Sequence, residues 1–248
     1  MSSSIKIQNA SVRFKVYENK NLSLKDFFSK HSSRPESGKD PYFDALNDVD
    51  LEIGAGERVG IIGRNGAGKS TLLKLVCGIY PPSCGHVSVS GSVASLLELG
   101  AGFHHEFTGR ENLYLNGAIL GMSEKQVRMI EDEVIQFSEL EPFIDTPVKY
   151  YSSGMYMRLA FSLATAMHPD ILVLDELFAA GDIGFVEKAR ARMYGMVNNA
   201  NILLMASHDL TLMEELSSRV IWIEGGKILE DGNPNKVINS FKTFIKSN

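Results

Sequence analysis

The sequence has little of what marks secreted, membrane-spanning or nucleic-acid-binding proteins. It contains two cysteines in 248 residues, Cys77 and Cys84, which is too few for a disulfide framework and lacks the spacing of a metal site. Its formal net charge of −5 provides no basic excess for DNA or RNA phosphates. No apolar run approaches the roughly 20 residues of a membrane span, and the polar start lacks a signal-peptide pattern. We therefore expect reduced cysteines, no nucleic-acid partner and a soluble, cytoplasmic chain.

One glycine-rich segment indicates nucleotide binding. Residues 63–70 read Gly-Arg-Asn-Gly-Ala-Gly-Lys-Ser, a complete P-loop, between the strand-like apolar run 58–62 and the helix-like run 72–76. The glycines allow successive backbone N–H groups to converge on a phosphate at the N-terminus of the following helix. A strand-to-helix turn that binds nothing is the alternative, and the matching flanks disfavour it.

The P-loop supplies most of the predicted nucleotide contacts. Lys69 is expected to reach the β and γ phosphates, Ser70 to give an oxygen to Mg2+, and Thr71 to contact the α-phosphate region. The predicted nucleotide-binding residues of this segment are Gly63, Arg64, Asn65, Gly66, Ala67, Gly68, Lys69, Ser70 and Thr71.

Two compact apolar runs, 171–174 and 201–205, have the pattern of buried parallel strands. Asp175 and Glu176 follow the first run, at the carboxyl edge where such sheets bind ligands. We predict that Asp175 binds Mg2+ and that Glu176 polarises the attacking water. His208 follows the second run and is predicted to contact the γ-phosphate from the same edge, the alternative being a capping or structural histidine.

The remaining pattern predicts the architecture around this edge. Residues 5–14 and 46–53 alternate between apolar and polar, as half-buried antiparallel strands do. Between 108 and 143 the apolar spacing becomes helical. We predict one α/β domain over residues 1–248, with a mixed central sheet, an antiparallel β layer and a helical subdomain at about 100–165.

Two further segments have recognisable patterns. Residues 17–42 are predicted to be an N-terminal insertion with a short amphipathic helix, because four apolar residues there lie near helical spacing. These four are Leu22, Leu24, Phe27 and Phe28. Residues 220–229 are predicted to form a β-hairpin, followed by a helix after Pro234.

The segment Tyr151-Ser152-Ser153-Gly154-Met155 precedes a predicted helix, where it is placed either to meet a phosphate or to act as an ordinary cap. The order of P-loop, this segment, apolar-Asp-Glu and His208 resembles the ATP-binding cassette (ABC) ATPases, whose Leu-Ser-Gly-Gly-Gln signature occupies the place of the segment. The resemblance implies a P-loop NTPase fold of the ABC ATPase type. It also implies hydrolysis of ATP with Mg2+, with Lys69, Glu176 and His208 as the catalytic residues.

The resemblance further implies a homodimer. Ser152 and Gly154 would complete the ATP site of a second copy in a head-to-tail, two-fold arrangement. Asp182 matches the aspartate of the family's D-loop, which communicates across that interface. The loop at 96–103 has no glutamine where the family has one, and Glu98 is the nearest substitute as a Mg2+ ligand.

The aromatic residue that stacks on adenine is left open by the sequence. Tyr17, Tyr42 and Phe43 flank the insertion, and any of the three suits the role. We rank Phe43 first.

Residues 96–112 and 150–159 resemble the ATPase subunits that export polysaccharides such as O-antigen, capsule and teichoic acid. The resemblance implies a peripheral protein on the cytoplasmic face of the cell membrane, with a separate transmembrane permease as partner and lipid-linked polysaccharide, O-antigen first, as cargo. The amphipathic insertion is expected either at the membrane face or permease entrance, or as a flap on the β layer. The alternatives are an ABC exporter ATPase for another cargo and a soluble ABC ATPase that works without a permease.

Overall fold

A computed structural model of the chain describes residues 3–15, 42–97, 99–175 and 183–247. The strands in these ranges are β1 (Ser4–Lys15), β2 (Tyr42–Gly54), β3 (Arg58–Ile62), β4 (Cys84–Ser90), β5 (Val93–Ser95), β6 (Ile171–Asp175), β7 (Ile202–Ala206), β8 (Arg219–Glu224) and β9 (Lys227–Gly232). The helices are α1 (Lys69–Val76), α2 (Gly109–Ile119), α3 (Glu124–Ser138), α4 (Ser153–Ala164), α5 (Ile183–Asn199), α6 (Leu210–Leu216) and α7 (Pro234–Ser247). None of these helices combines the length and hydropathy of a membrane span.

The predicted antiparallel β layer is present as a three-stranded sheet in the order β2-β1-β4. Strands β1 and β2 alternate for most of their length between buried and exposed residues, because one face packs on the core and the other meets water. Ile5 lies opposite Ile53 on β2 and Val89 on β4, which places these apolar side chains in register.

The central sheet has six strands in the order β5-β6-β7-β3-β8-β9. All neighbours are parallel except the β8–β9 hairpin, so the predicted mixed sheet is confirmed. Alternate residues of β6 face two different cores. Ile171 and Val173 pack with α1 and the antiparallel layer, whereas Leu172 and Leu174 pack with α5 and α7. Burial on both faces explains why these strands read as continuous apolar runs.

A third core lies between α2, α3 and α4, within the segment predicted to be helical. The helical period seen from 108 to 143 is interrupted, because α2 ends before Gly121, which has a positive φ of 80°. Thr108 and Ser123 then start α2 and α3 with capping boxes, each completed by the residue three positions later.

The C-terminal prediction of a hairpin and a helix matches β8, β9 and α7. The insertion predicted at 17–42, with its amphipathic helix, lies outside the described residues except for Tyr42, which begins β2.

Candidate functional site

The P-loop connects the end of β3 to the start of α1, with its lysine folded back over the loop. The Lys69 side chain is buried, and its Nζ donates hydrogen bonds to the carbonyl oxygens of Gly63, at 2.9 Å, and Arg64, at 3.1 Å. Gly68 occupies the N-cap position of α1, and no side chain caps the first turn. The lysine charge and the N–H groups of that turn therefore suit an anion.

Strand β2 and the β8–β9 turn both lie close to the P-loop. The amide of Gly226, in the β8–β9 turn, donates to the carbonyl of Ala67 at 2.9 Å, and the amide of Asn47 on β2 donates to the carbonyl of Gly226 at 2.9 Å. At Gly68, whose φ is 113°, an added Cβ would lie 2.7 Å from the carbonyl oxygen of Ala45 on β2. Contacts with both sheets thus hold the P-loop in place.

This close approach predicts a stability difference between two glycines of the same loop. Gly66 and Gly68 both have positive φ, but nothing lies within 4 Å of a Cβ at Gly66. Gly66→Ala should cost only the left-handed backbone penalty, about 1–2 kcal/mol, whereas Gly68→Ala should cost about 1–3 kcal/mol more because it overpacks the loop. Denaturant unfolding without nucleotide measures both, and equal losses would contradict the proposed contact with β2.

A cavity of about 580 Å³ opens beside the loop, within the usual size range for small-molecule sites. Its lining combines predicted residues from three parts of the sequence, namely P-loop residues 65–71, Asp175 and His208. Strand register explains why Asp175 and His208 line the same cavity, because Asp175 at the end of β6 pairs with Ala206 at the end of β7. His208 follows two residues later.

The donor set of the cavity fits a magnesium nucleotide. Ser70 offers a hydroxyl oxygen and Asp175 a carboxylate, and oxygen is the donor that Mg2+ prefers. In the described part of the chain, no three His, Cys, Asp or Glu side chains cluster as a self-sufficient metal site. Mg2+ is usually held by one or two carboxylates together with substrate phosphates and water.

The cavity also has an aromatic wall, of which the sequence identified one half. Phe43 lines the cavity and is 54% exposed. Phe14, which was not predicted, lines it too, lies directly opposite Phe43 in the β1–β2 register and contacts the Tyr80 ring edge-on at 5.2 Å. Tyr42 is not part of the lining, and Tyr17 lies outside the described residues. The sequence feature that could have pointed to Phe14 is its position at the end of the alternating run 5–14.

The signature-like segment lies elsewhere in the chain's own structure. Ser152 is the N-cap of α4, and its Oγ accepts a hydrogen bond from the amide of Met155 at 3.2 Å. Its side chain is exposed, and neither Ser152 nor Gly154 lines the cavity beside the P-loop. The capping role is therefore present, and the phosphate role of this segment remains a prediction.

Three predicted site residues lie outside the described residues, namely Glu98, Glu176 and Asp182. Their neighbours Leu97 and Asp175 both line the cavity. The predictions for the three residues remain predictions.

Comparison with known proteins agrees with this geometry. Residues 46–179 match the family model described as ABC transporter. The chain is 40% identical over 238 residues to the O-antigen export system ATP-binding protein RfbB of Klebsiella pneumoniae, covering 96% of this chain and 97% of that protein. It is 48% identical over 201 residues to RfbB of Myxococcus xanthus, covering 81% of this chain but only 46% of the relative. The chain thus spans about half the length of some relatives and nearly all of others.

Other likenesses extend to a further export system and to solved folds. The teichoic acids export ATP-binding protein TagH of Lactococcus lactis is 40% identical over 204 residues, covering 82% of this chain and 44% of TagH. A dimeric, post-hydrolysis structure of the ATP-binding cassette MJ0796 bound to ADP and Pi has a TM-score of 0.66 at 21% identity, covering 93% of this chain and 98% of that chain. The structural likeness shows the fold.

These comparisons confirm the predicted fold class and the resemblance to ATPase subunits of polysaccharide export. The family model matches more than half of the chain, and a relative at 40% identity is covered nearly in full. The chain therefore belongs to the ABC transporter family.

Proposed function

We propose that the chain is the ATP-hydrolysing subunit of an ABC exporter of lipid-linked polysaccharide, with O-antigen as the first candidate cargo. The observation that carries the proposal is the convergence of the P-loop, Asp175 and His208 on one cavity of nucleotide size. The relatives named for O-antigen and teichoic acid export support the choice of cargo class.

The main residues of the predicted site each have a role in this proposal. The loop amides and Lys69 hold the phosphates, while Ser70 and Asp175 hold Mg2+, which neutralises charge on the β and γ oxygens when bound. Glu176 orients and deprotonates the attacking water. His208 hydrogen-bonds the γ-phosphate from the end of β7, and Phe43, with Phe14 beside it, supports the adenine.

A second copy completes the site. Ser152 and Gly154 lie at the exposed start of α4, away from the cavity of their own chain, so a head-to-tail dimer would bring them to the phosphates of the partner copy. Asp182 belongs to the same interface in this proposal. ATP would then join the two copies, and hydrolysis would release them, which converts phosphate chemistry into motion.

An apolar groove is the proposed seat of the transmembrane permease. It has a volume of about 360 Å³ and lies between the loop 99–103, α2 and α4. Three large apolar residues in its lining are substantially exposed, Ile79 at 45%, Ile119 at 62% and Leu120 at 41%. Exposed apolar groups of this kind mark partner surfaces. The chain would thus act as a peripheral protein on the cytoplasmic face of the membrane.

Export is tested in the source organism by deleting the gene and restoring it in variant form. The wild-type gene and the control Lys74→Ala should restore surface polysaccharide, whereas Lys69→Ala should leave lipid-linked chains inside the cell. Electrophoresis of surface glycans and extraction of lipid-linked intermediates provide the measurement. Normal surface glycan in the deletion strain would exclude this cargo, and co-purification of the protein with ribosomes or DNA would favour a soluble ABC ATPase.

A further inference from the structure

Glu139 follows α3 in a backbone conformation that suits glycine better than glutamate. The helix runs to Ser138, and Glu139 has φ 58° and ψ 38°, in the left-handed region that glycine adopts freely at helix ends. A residue with a Cβ is less stable there. Such conformations persist only where surrounding contacts hold them, and they are common at functional positions. The contacts of the Glu139 side chain therefore need an account.

The Glu139 carboxylate joins two other helices. Its Oε1 accepts a hydrogen bond from Nζ of Lys188 on α5 at 3.1 Å, and its Oε2 accepts one from the guanidinium of Arg158 on α4 at 3.3 Å. Nζ of Lys188 also donates to the carbonyl oxygen of Phe137 on α3 at 3.0 Å. The end of α3, the middle of α4 and the N-terminal half of α5 thus meet at one carboxylate.

Aromatic rings pack the same three helices together. The centroid of the Phe137 ring lies 4.6 Å from Nζ of Lys188 and 4.2 Å from Cζ of Arg192. The Phe185 ring on α5 meets Phe137 edge-on at 5.7 Å and Phe161 of α4 edge-on at 5.9 Å. Cation–π contacts and ring packing therefore hold α3 and α4 against α5 independently of the carboxylate.

The two helices that Glu139 joins belong to different halves of the proposed ATP site. Helix α4 starts after Ser152, which is proposed to meet the phosphates of the partner copy. Helix α5 packs on β6 in a core that contains Phe185 and Leu174, and β6 ends at Asp175 in the nucleotide cavity. The junction at Glu139 thus lies between the two half-sites of one chain.

A two-fold dimer makes the spacing of these half-sites important. Each copy would present its cavity to one half-site of the partner and the start of its α4 to the other. Both ATP sites can therefore form at once only if the separation within one chain matches the separation within its partner. A misplacement of about 1 Å from productive geometry can lower a rate by roughly 10²-fold. An altered spacing in the chain would thus affect both sites.

We propose that Glu139 is a positioning residue that fixes the orientation of α4 relative to α5, and with it the spacing of the two half-sites, through its ion pairs with Arg158 and Lys188. The inference rests on the proposed function. Apolar packing is non-directional, whereas charge-assisted hydrogen bonds have a preferred geometry. The carboxylate thus sets the direction of a contact that the rings stabilise. Glu139 does not line the nucleotide cavity, so it acts on geometry and not on the nucleotide.

The test compares two replacements of Glu139 in the whole chain. Glu139→Gln removes the charge and keeps a side chain in the left-handed conformation, whereas Glu139→Gly removes the charge and suits that conformation. The matched control is Glu124→Gln, which removes an ion pair of similar length, 3.0 Å to Arg128, within α3 alone. ATP turnover, thermal unfolding and the affinity of the monomeric chain for ATP are measured for each variant.

We expect Glu139→Gln and Glu139→Gly to lower kcat by a similar factor, roughly three- to tenfold, because each exposed ion pair contributes up to about fivefold. The affinity of the monomer for ATP should not change. Glu139→Gly should unfold at the higher temperature of the two, since glycine suits the left-handed backbone. Activity would then not follow stability, and Glu124→Gln should keep the wild-type kcat.

Three results would overturn the positioning role while the proposed function stands. They are wild-type kcat in Glu139→Gln, recovery of wild-type kcat in Glu139→Gly, which would show that activity follows stability, and an equal loss of kcat in Glu124→Gln. Absence of ATP turnover in the wild-type chain would overturn the proposed function and this inference with it.

Discussion

The Lys69→Ala variant is expected to bind ATP roughly ten- to a hundredfold more weakly than the wild-type chain, because hydrogen bonds to charged groups contribute about 1.5–3 kcal/mol. The Lys69 ammonium lies within hydrogen-bonding distance of two carbonyl oxygens of the loop that would surround the phosphates. A charge held at this point has only to exchange carbonyl for phosphate oxygens when the nucleotide enters.

The measurement is a titration with ATP and Mg2+ by calorimetry or a fluorescent nucleotide. Lys74→Ala is the matched control, since Lys74 lies on the same helix, carries the same charge and is absent from the cavity lining. Equal affinities in the two variants would show that the P-loop lysine does not contact the phosphates. Thermal unfolding of both variants without nucleotide separates a binding defect from a folding defect.

Glu176→Gln is expected to reduce ATP turnover by roughly 10²–10⁴-fold, which is the usual contribution of a positioned general base. The amide has nearly the shape of the carboxylate but cannot take a proton from water at neutral pH. ATP binding should persist, because the P-loop and Asp175 are unchanged. Nucleotide-bound dimers should therefore accumulate in a state that the wild-type chain leaves by hydrolysis.

Phosphate release and size-exclusion chromatography with ATP and Mg2+ measure the two effects together. Glu215→Gln provides the control, as it makes the same change at an exposed position of α6. Turnover near the wild-type level in Glu176→Gln would remove this residue as the base. A variant that neither hydrolyses ATP nor dimerises would instead indicate that Glu176 is needed for nucleotide binding.

The parts of the site that sequence reasoning recovered are those with local signals. The P-loop is one contiguous segment, so its glycines and Lys69 can be recognised from the sequence motif alone. Asp175 and His208 are separated by more than thirty positions, yet both follow apolar runs. Parallel strands end at one edge, which made their meeting predictable before the register of β6 and β7 was known.

What sequence reasoning missed depends on contacts between distant segments. Phe14 faces the cavity because of its register with Phe43, and strand register cannot be read from one strand alone. The same holds for Gly100, whose lack of a side chain makes room for Tyr156 on a different element. The sequence favours adenine candidates that flank the insertion, whereas the alternating pattern around Phe14 indicates only a strand.

The close approach of the Gly68 backbone to the carbonyl of Ala45, which leaves no room for a Cβ, affects the energetics of nucleotide binding. The P-loop lies against both sheets, and opening it would require the sheets to separate. Its shape is therefore set before a ligand binds. Little conformational entropy then remains to be lost on association, and more of the gross contact energy is retained as affinity. Substitutions in the shared interior beneath the P-loop would accordingly weaken binding through loss of rigidity, even at positions that never touch the ligand.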